Sequence, residues 1–202
     1  YGDMDLSIIK EKPKNRKMIK TYSKLESKIE DVIKFIKKEI NFGNQIFWVC
    51  PLIEESKKLD HTSAIKKFEY LKKLFPGQVS ILHGKTDINE KEKILKKFLN
   101  KEFKILVSTT IIEVGIDFPN ANAIIIENAN KFGLSQLHQL RGRVGRGNKE
   151  SFCILIIKSN LSQNARKRIK ILKSTNILDE LETEIIGTQL LNEFFDKNLR
   201  EL

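Results

Sequence analysis

No apolar run in the sequence approaches the ~20 residues that cross a bilayer as a helix, so helical membrane insertion is excluded and no membrane partner is expected. Cysteine is scarce, with two residues. Cys50 and Cys153 lie inside the apolar runs F-W-V-C and F-C-I-L, where small hydrophobes are buried in a reducing compartment, and neither has the spacing of a zinc ligand set or a redox pair. A cytoplasmic location is the expectation. The three histidines are equally sparse: His61 lies in a lysine-rich helix, and no cysteine or carboxylate cluster completes a site around His83 or His138, so no metal is expected. Residues 1–7 (Y-G-D-M-D-L-S) lack the charged and apolar stretches of a secretory leader. Beginning at Tyr1, the chain is expected to be a fragment.

Two features of a self-sufficient nucleotide hydrolase are also missing. Gly84-Lys85-Thr86 imitates the end of the phosphate-binding loop G-x-x-x-x-G-K-T. The first glycine of that pattern, however, falls at Val79, inside an apolar strand, where no glycine loop can form. No D-E-x-H or D-E-x-D run follows an apolar strand, so no carboxylate pair for Mg²⁺ is visible. The chain alone is expected not to hydrolyse ATP.

Positive charge is what the sequence has in excess. Lys and Arg number 37 against 26 Asp and Glu, a formal net charge of +11 that attracts polyanions. On charge alone, nucleic-acid binding and solvated lysine-rich helix faces are equal readings. With 202 residues, 40% of them hydrophobic, the chain can bury one core and carry a peripheral extension.

Residues 5–22 are basic and aperiodic around Pro13, and 1–22 read as a linker entering the domain. Ser23-Lys24-Leu25-Glu26 has the form of a capping box, and Leu25, Ile29, Val32, Ile33, Ile36 and Ile40 recur at helical spacing until Asn41-Phe42-Gly43 stop the helix. Apolar strands at 45–50, 79–83, 104–108, 123–127 and 152–157 then alternate with helices at 56–75, 89–100, 134–141 and from about 161. Strands of unbroken Val, Ile, Leu and Phe between helices mean a parallel sheet covered on both faces, an α/β fold of the open doubly wound kind over residues 23–160. Residues 161–202 read as a helical extension, with one or two amphipathic helices at 178–202 interrupted by Gly187. Ligand chemistry in such sheets gathers at the carboxyl ends of strands, here Cys50-Pro51-Leu52, His83-Gly84-Lys85, Ser108-Thr109-Thr110 and Glu127-Asn128.

The sharpest signal is Gln139-Leu140-Arg141-Gly142-Arg143-Val144-Gly145-Arg146-Gly147, with three arginines and three glycines in nine residues directly after a helix. Planar cations on a backbone that allows close approach suit a polyphosphate. A guanidinium can stabilise charge developing on a transferring γ-phosphoryl, the arginine-finger role, where a lysine supplies only a point charge. The competing reading is a basic turn meeting nucleic-acid phosphates or solvent. Gln139 can hydrogen-bond a phosphate or an attacking water, but a lone glutamine on a helix is more often merely surface polar. Ser108-Thr109-Thr110 presents three hydroxyls at a strand end, able to bind a nucleic-acid backbone without reading bases.

Q-x-x-G-R-x-G-R is the sixth helicase motif of superfamily 2, and this segment resembles it at every defining position. Residues 108–146 (S-T-T-I-I-E-V-G-I-D-F-P-N-A through K-F-G-L-S-Q-L-H-Q-L-R-G-R-V-G-R) resemble the fifth and sixth motifs of the RecG family in particular. So does C-P-L-I-E-E-S-K-K-L-D at 50–60, a form that the related transcription-repair coupling translocase lacks. Residues 1–7 resemble the exit of the family's first motor domain, and the resemblance extends to about residue 176.

The resemblance implies a RecA-like second motor domain. ATP and Mg²⁺ would be bound mainly by an absent first motor domain, with Arg143 and Arg146 as catalytic arginine fingers, Gln139 beside them, and Gly142, Gly115 and Asp117 on the nucleotide side. Thr109 and Thr110, with Ser108, His83 and Gly84, would contact the translocated DNA. On sequence chemistry alone Asp117 is equally a loop carboxylate capping Asn120 or Ala121; the family match favours the nucleotide. The implied partners are branched or forked DNA and the first motor and wedge domains of the same protein. The implied activity is remodelling of stalled forks and recombination intermediates at a bacterial nucleoid. After Ser174-Thr175-Asn176 the family continues with a glycine-rich coupling segment, D-G-F-x-I-A then R-G-P-G-E. Here Ile177-Leu178-Asp179 follows, so no coupling residues are assigned. Two other readings stand beside this one: the motor of a transcription-repair coupling translocase, and a nucleic-acid binding module without activity.

Overall fold

Unbroken apolar strands need cover on both faces, and the computed structural model shows how this chain supplies it. The structure describes residues 18–51, 57–84, 86–109, 118–147 and 149–174, with backbone alone for 57–63. Among them the elements run β1 (Ile19–Leu25), α1 (Ile29–Asn41), β2 (Gln45–Val49), α2 (Lys57–Leu74), β3 (Val79–Leu82), α3 (Ile88–Leu99), β4 (Ile105–Ser108), β5 (Ala121–Ile126), α4 (Leu134–Arg141), β6 (Ser151–Ile157) and α5 (Gln163–Ser174). The six strands form one sheet in the order β1-β6-β5-β2-β4-β3, every neighbouring pair parallel.

Side-chain alternation along each strand splits the core in two. On one face Ile46, Trp48, Ile105, Val107, Ile125 and Ile154 meet Val32, Ile36 and Ile40 of α1 and Ala64 and Leu71 of α2. On the other, Phe47, Leu106, Ile124 and Leu155 meet Leu95 and Phe98 of α3, Leu137 and Leu140 of α4, and Ile169 and Leu172 of α5. Four phenylalanines interlock there: Phe47 lies 5.2 Å from Phe98 and 5.4 Å from Phe118 between ring centroids, and Phe98 stacks on Phe103 at 5.2 Å. Such rings add roughly 0.5–1.5 kcal/mol per pair beyond their buried area.

The first strand departs from the sequence reading. Residues 19–22 were expected in a linker and residues 23–26 in a capping box; instead β1 pairs residue for residue with β6, from Ile19 opposite Ser151 to Leu25 opposite Ile157. A 3-10 turn over Glu26–Lys28 follows, neither it nor α1 has a side-chain N-cap, and α1 begins at Ile29. I-K-T-Y-S-K-L puts Ile19, Thr21 and Ser23 on one face and the exposed Lys20, Tyr22 and Lys24 on the other; two lysines on one face suit an edge strand and so resemble a solvated linker. At the other end α5 buries Ala165, Ile169 and Leu172 in the domain. The expected helices at 178–202 lie outside the described residues.

The amide of Gln45 locks α3 to the sheet. Its Nε2 donates to Phe98 O at 2.6 Å and Phe103 O at 3.0 Å, the former a last-turn helix carbonyl that also accepts from Lys101 N at 3.0 Å. Gln45→Ala is expected to take a buried donor from both carbonyls, leaving Phe98 O with the Lys101 amide, and to lower stability by roughly 1–3 kcal/mol, seen as a lower urea midpoint with unchanged slope.

Candidate nucleotide and nucleic-acid interface

A helix that links two parallel strands must run back along the sheet, so the end of α4, between β5 and β6, is delivered to the edge where the strands begin. The loop of residues 142–147 lies there. A Cβ on Gly145 would sit 2.9 Å from Ile19 and 3.6 Å from Ser151, the first residues of β1 and β6, and one on Gly147 would sit 2.5 Å from the carbonyl oxygen of Pro119, just ahead of β5. Gly145 also has φ +79°, a left-handed backbone that glycine adopts without strain. The arginine segment therefore occupies the amino edge. These residues stand apart from the carboxyl ends of β2, β3, β4 and β5, because the crossover geometry carries them to the other edge.

Within this segment the three arginines are not equivalent. Arg141 is 1% exposed; its Nη1 donates to Leu172 O in the last turn of α5 at 2.8 Å, where a cation also meets the negative end of the helix dipole. A guanidinium has no acceptor, so the His138 Nδ1 that lies 3.1 Å from Arg141 Nη2 is the acceptor of that bond. Arg141 is thus a tie between α4 and α5. Val144 is fully buried and anchors the middle of the loop, which turns Arg143 and Arg146 outward. The half-buried Arg143 side chain makes no hydrogen bond or ion pair among the described residues, while the exposed Arg146 donates from Nε to Gly142 O at 3.4 Å. Gln139 is exposed one turn earlier. Gly142 closes α4, its amide donating to His138 O at 2.9 Å.

The other expected residues lie at the opposite edge. His83 and Gly84 follow β3, where Thr86 folds back: its amide donates to His83 O at 3.0 Å, and its hydroxyl lies 3.2 Å from both His83 N and Nδ1. Val79 opens β3, so no glycine loop forms there, and Thr86 leads into α3, with Asp87 capping that helix through Asn89 N at 2.9 Å. Gly84 is exposed and Thr109 is 5% exposed. Ser108 is fully buried at the strand end, with Leu82 and Val49 as its in-register neighbours. Thr110, Gly115 and Asp117 lie outside the described residues.

Two polar clusters escaped the sequence reading. At the carboxyl edge Glu127 accepts from Trp48 Nε1 at 3.1 Å and Cys50 Sγ at 3.4 Å and pairs with Lys67 at 2.9 Å, joining β2, β5 and α2. Burial first, then the Glu127 charge, pushes the Cys50 thiol well above its usual range. Burial likewise pushes Cys153 up to about 12, against the opposing Arg141 charge. At the amino edge the carboxylate of Glu39 accepts from Asn44 at 2.8 Å and Asn122 at 2.6 Å. One signal for this was available: with Val32, Ile36 and Ile40 on the buried stripe of α1, position 39 falls on the same face, where a charged residue needs partners.

Residues 27–148, more than half the chain, match the family described as the helicase conserved C-terminal domain. The chain belongs to that family. This helicase C-terminal domain is 42% identical over 199 residues to the ATP-dependent DNA helicase RecG of Bacillus subtilis (strain 168), covering 98% of this chain and 29% of that protein. It is 47% identical over 174 residues to the RecG of Aquifex aeolicus (strain VF5), 86% of this chain and 22% of that protein. A solved structure of RecG bound to a three-way DNA junction superposes with a TM-score of 0.72 at 38% identity, covering 86% of this chain and 22% of that one. The resemblance to RecG and the RecA-like parallel fold therefore hold, and the domain spans under a third of these relatives.

Arg141 and Arg143 should separate cleanly. Arg141→Ala removes a charged donor from a buried carbonyl and is expected to lower stability by roughly 1.5–3 kcal/mol, whereas Arg143→Ala should change it by no more than about 1 kcal/mol; paired thermal melts of the two variants check this. Gly147→Ala drives a methyl into backbone, and the same melts should show a loss of about 1–3 kcal/mol.

Proposed function

We propose that this helicase C-terminal domain is the second motor domain of an ATP-dependent, RecG-like helicase that translocates on double-stranded DNA and remodels forked and branched molecules in a bacterial cytoplasm. The observation that carries the reading is the Arg143 guanidinium. It stands at the amino edge with no partner among the described residues, on a loop whose glycines and buried Val144 fix its backbone. A planar, weakly hydrated guanidinium left without a partner among the described residues, beside a rigid backbone, is suited to an anion brought from outside the domain.

In this reading ATP and Mg²⁺ are held by a first motor domain that supplies the phosphate loop and the metal-binding carboxylates. Arg143 and Arg146 approach from this side and stabilise the charge on the γ-phosphoryl as it transfers. Gln139, exposed one turn before them, is placed to orient the attacking water. Gly142, Gly115 and Asp117 complete the nucleotide side. The DNA backbone is gripped at the other edge by Thr109 and Thr110 with His83 and Gly84, and Ser108 supports the strand end from within. Contacts of this kind carry no sequence information, which translocation requires.

The two edges are joined by a sheet buried on both faces, so nucleotide-driven closure at one edge moves the other edge with it. The RecG relatives support branched DNA as the substrate, the solved RecG being bound to a three-way junction.

Arginine fingers contribute about 10³–10⁵ in rate. Arg146→Ala in the full-length protein is therefore expected to remove nearly all DNA-stimulated ATP turnover while leaving the fold and nucleotide-free DNA binding intact. Turnover within about twofold of the parent would refute the assignment of Arg146.

A further inference from the structure

We infer that Lys149 and the buried carboxylate of Glu39 are positioning residues for the arginine loop, an inference that rests on the roles proposed for Arg143 and Arg146. The glycine contacts hold the loop against the sheet but are non-directional packing. A directional tie lies at its exit. Lys149 Nζ donates to Asn44 Oδ1 at 2.7 Å, and Asn44 Nδ2 donates to Glu39 Oε2 at 2.8 Å. The same oxygen accepts from Asn122 Nδ2 at 2.6 Å.

The chemistry of this chain leaves one arrangement. Lysine only donates, so the Asn44 oxygen must face it, and the Asn44 amide nitrogen must then face a group that only accepts, the carboxylate. Glu39, Asn44 and Asn122 are 7%, 6% and 3% exposed, low enough that each bond carries weight and a lost partner is felt. The network joins α1, the turn into β2, and β5, and it ends two residues beyond Gly147. Burying a carboxylate is unfavourable unless it is compensated, and the Lys149 ammonium supplies charge through Asn44.

The neighbouring residue gives an internal contrast. Glu150 pairs with Lys20 at 2.7 Å, but both side chains are about half exposed, at 58% and 47%. Exposed pairs contribute little. Lys20 and Lys149 thus tie adjacent residues to the sheet, one through a pair exposed at both ends and one, itself exposed, through a part-buried bond to the buried Asn44 and Glu39.

The test uses the full-length protein, with DNA-stimulated ATP turnover as the readout and DNA-binding stoichiometry fixing the concentration of folded enzyme. A loop displaced by about 1 Å costs on the order of 10²-fold, so Lys149→Ala, with the network loosened rather than removed, should lower kcat by about tenfold at unchanged KM for ATP and unchanged DNA binding. Lys149→Arg should restore most of that loss, and Glu39→Gln, which keeps the side-chain shape, should reproduce it. Lys20→Ala should leave kcat near the parent value. The double variant Lys149→Ala/Arg143→Ala should be no slower than Arg143→Ala alone, because both act through one loop. Parental kcat in Lys149→Ala beside an inactive Arg143→Ala would overturn the inference while leaving the proposed function standing, as would losses that multiply in the double variant. Parental kcat in Arg143→Ala would overturn the arginine assignment, and this inference with it.

Discussion

The Gly147 backbone lies so close to the Pro119 carbonyl that no side chain fits between them, and much of the proposed chemistry depends on that contact. Pro119 leads into β5, a strand buried along its whole length in the middle of the sheet. A loop pressed on that point inherits the rigidity of the core, because close-packed interiors transmit displacement instead of absorbing it. Gly145 against Ile19 and buried Val144 add two further fixed points. Two of the three arginines are left to project outward from a backbone that has little freedom, which is what electrostatic stabilisation of a transferring group needs.

The sheet separates two kinds of contact. Its amino edge carries Gln139, Arg143 and Arg146; its carboxyl edge carries His83, Gly84 and Thr109. The chain leaves the described residues at Thr109 on one edge and returns at Phe118 on the other. Arg141 and Gln45 serve this separation indirectly. Each donates to a backbone carbonyl in the last turn of a helix, Arg141 joining α4 to α5 and Gln45 joining β2 to α3.

The residues that were legible in the sequence were contiguous or periodic. The nine residues 139–147 carry their chemistry in an unbroken run, and α4 spans Leu134–Arg141 as the apolar spacing indicates. Strands β2 to β6 announced themselves through apolar runs. β1 did not, since an edge strand with Lys20 and Lys24 on its exposed face resembles a linker until its partner β6 is known. The buried networks were out of reach for a different reason: Lys149 lies 105 residues from Asn44, and Asn122 lies 83 from Glu39. The location of the arginines could have been derived from the crossover rule, which the apolar runs and helices already implied.

The most direct measurement is a structure of the full-length protein with a non-hydrolysable ATP analogue and forked DNA. The two-edge arrangement predicts a guanidinium of Arg143 or Arg146 within hydrogen-bonding distance of the γ-phosphate at the amino edge, with the DNA backbone at the carboxyl ends of β3 and β4. A nucleotide seated at those carboxyl ends, or DNA lying across the arginine loop, would contradict it.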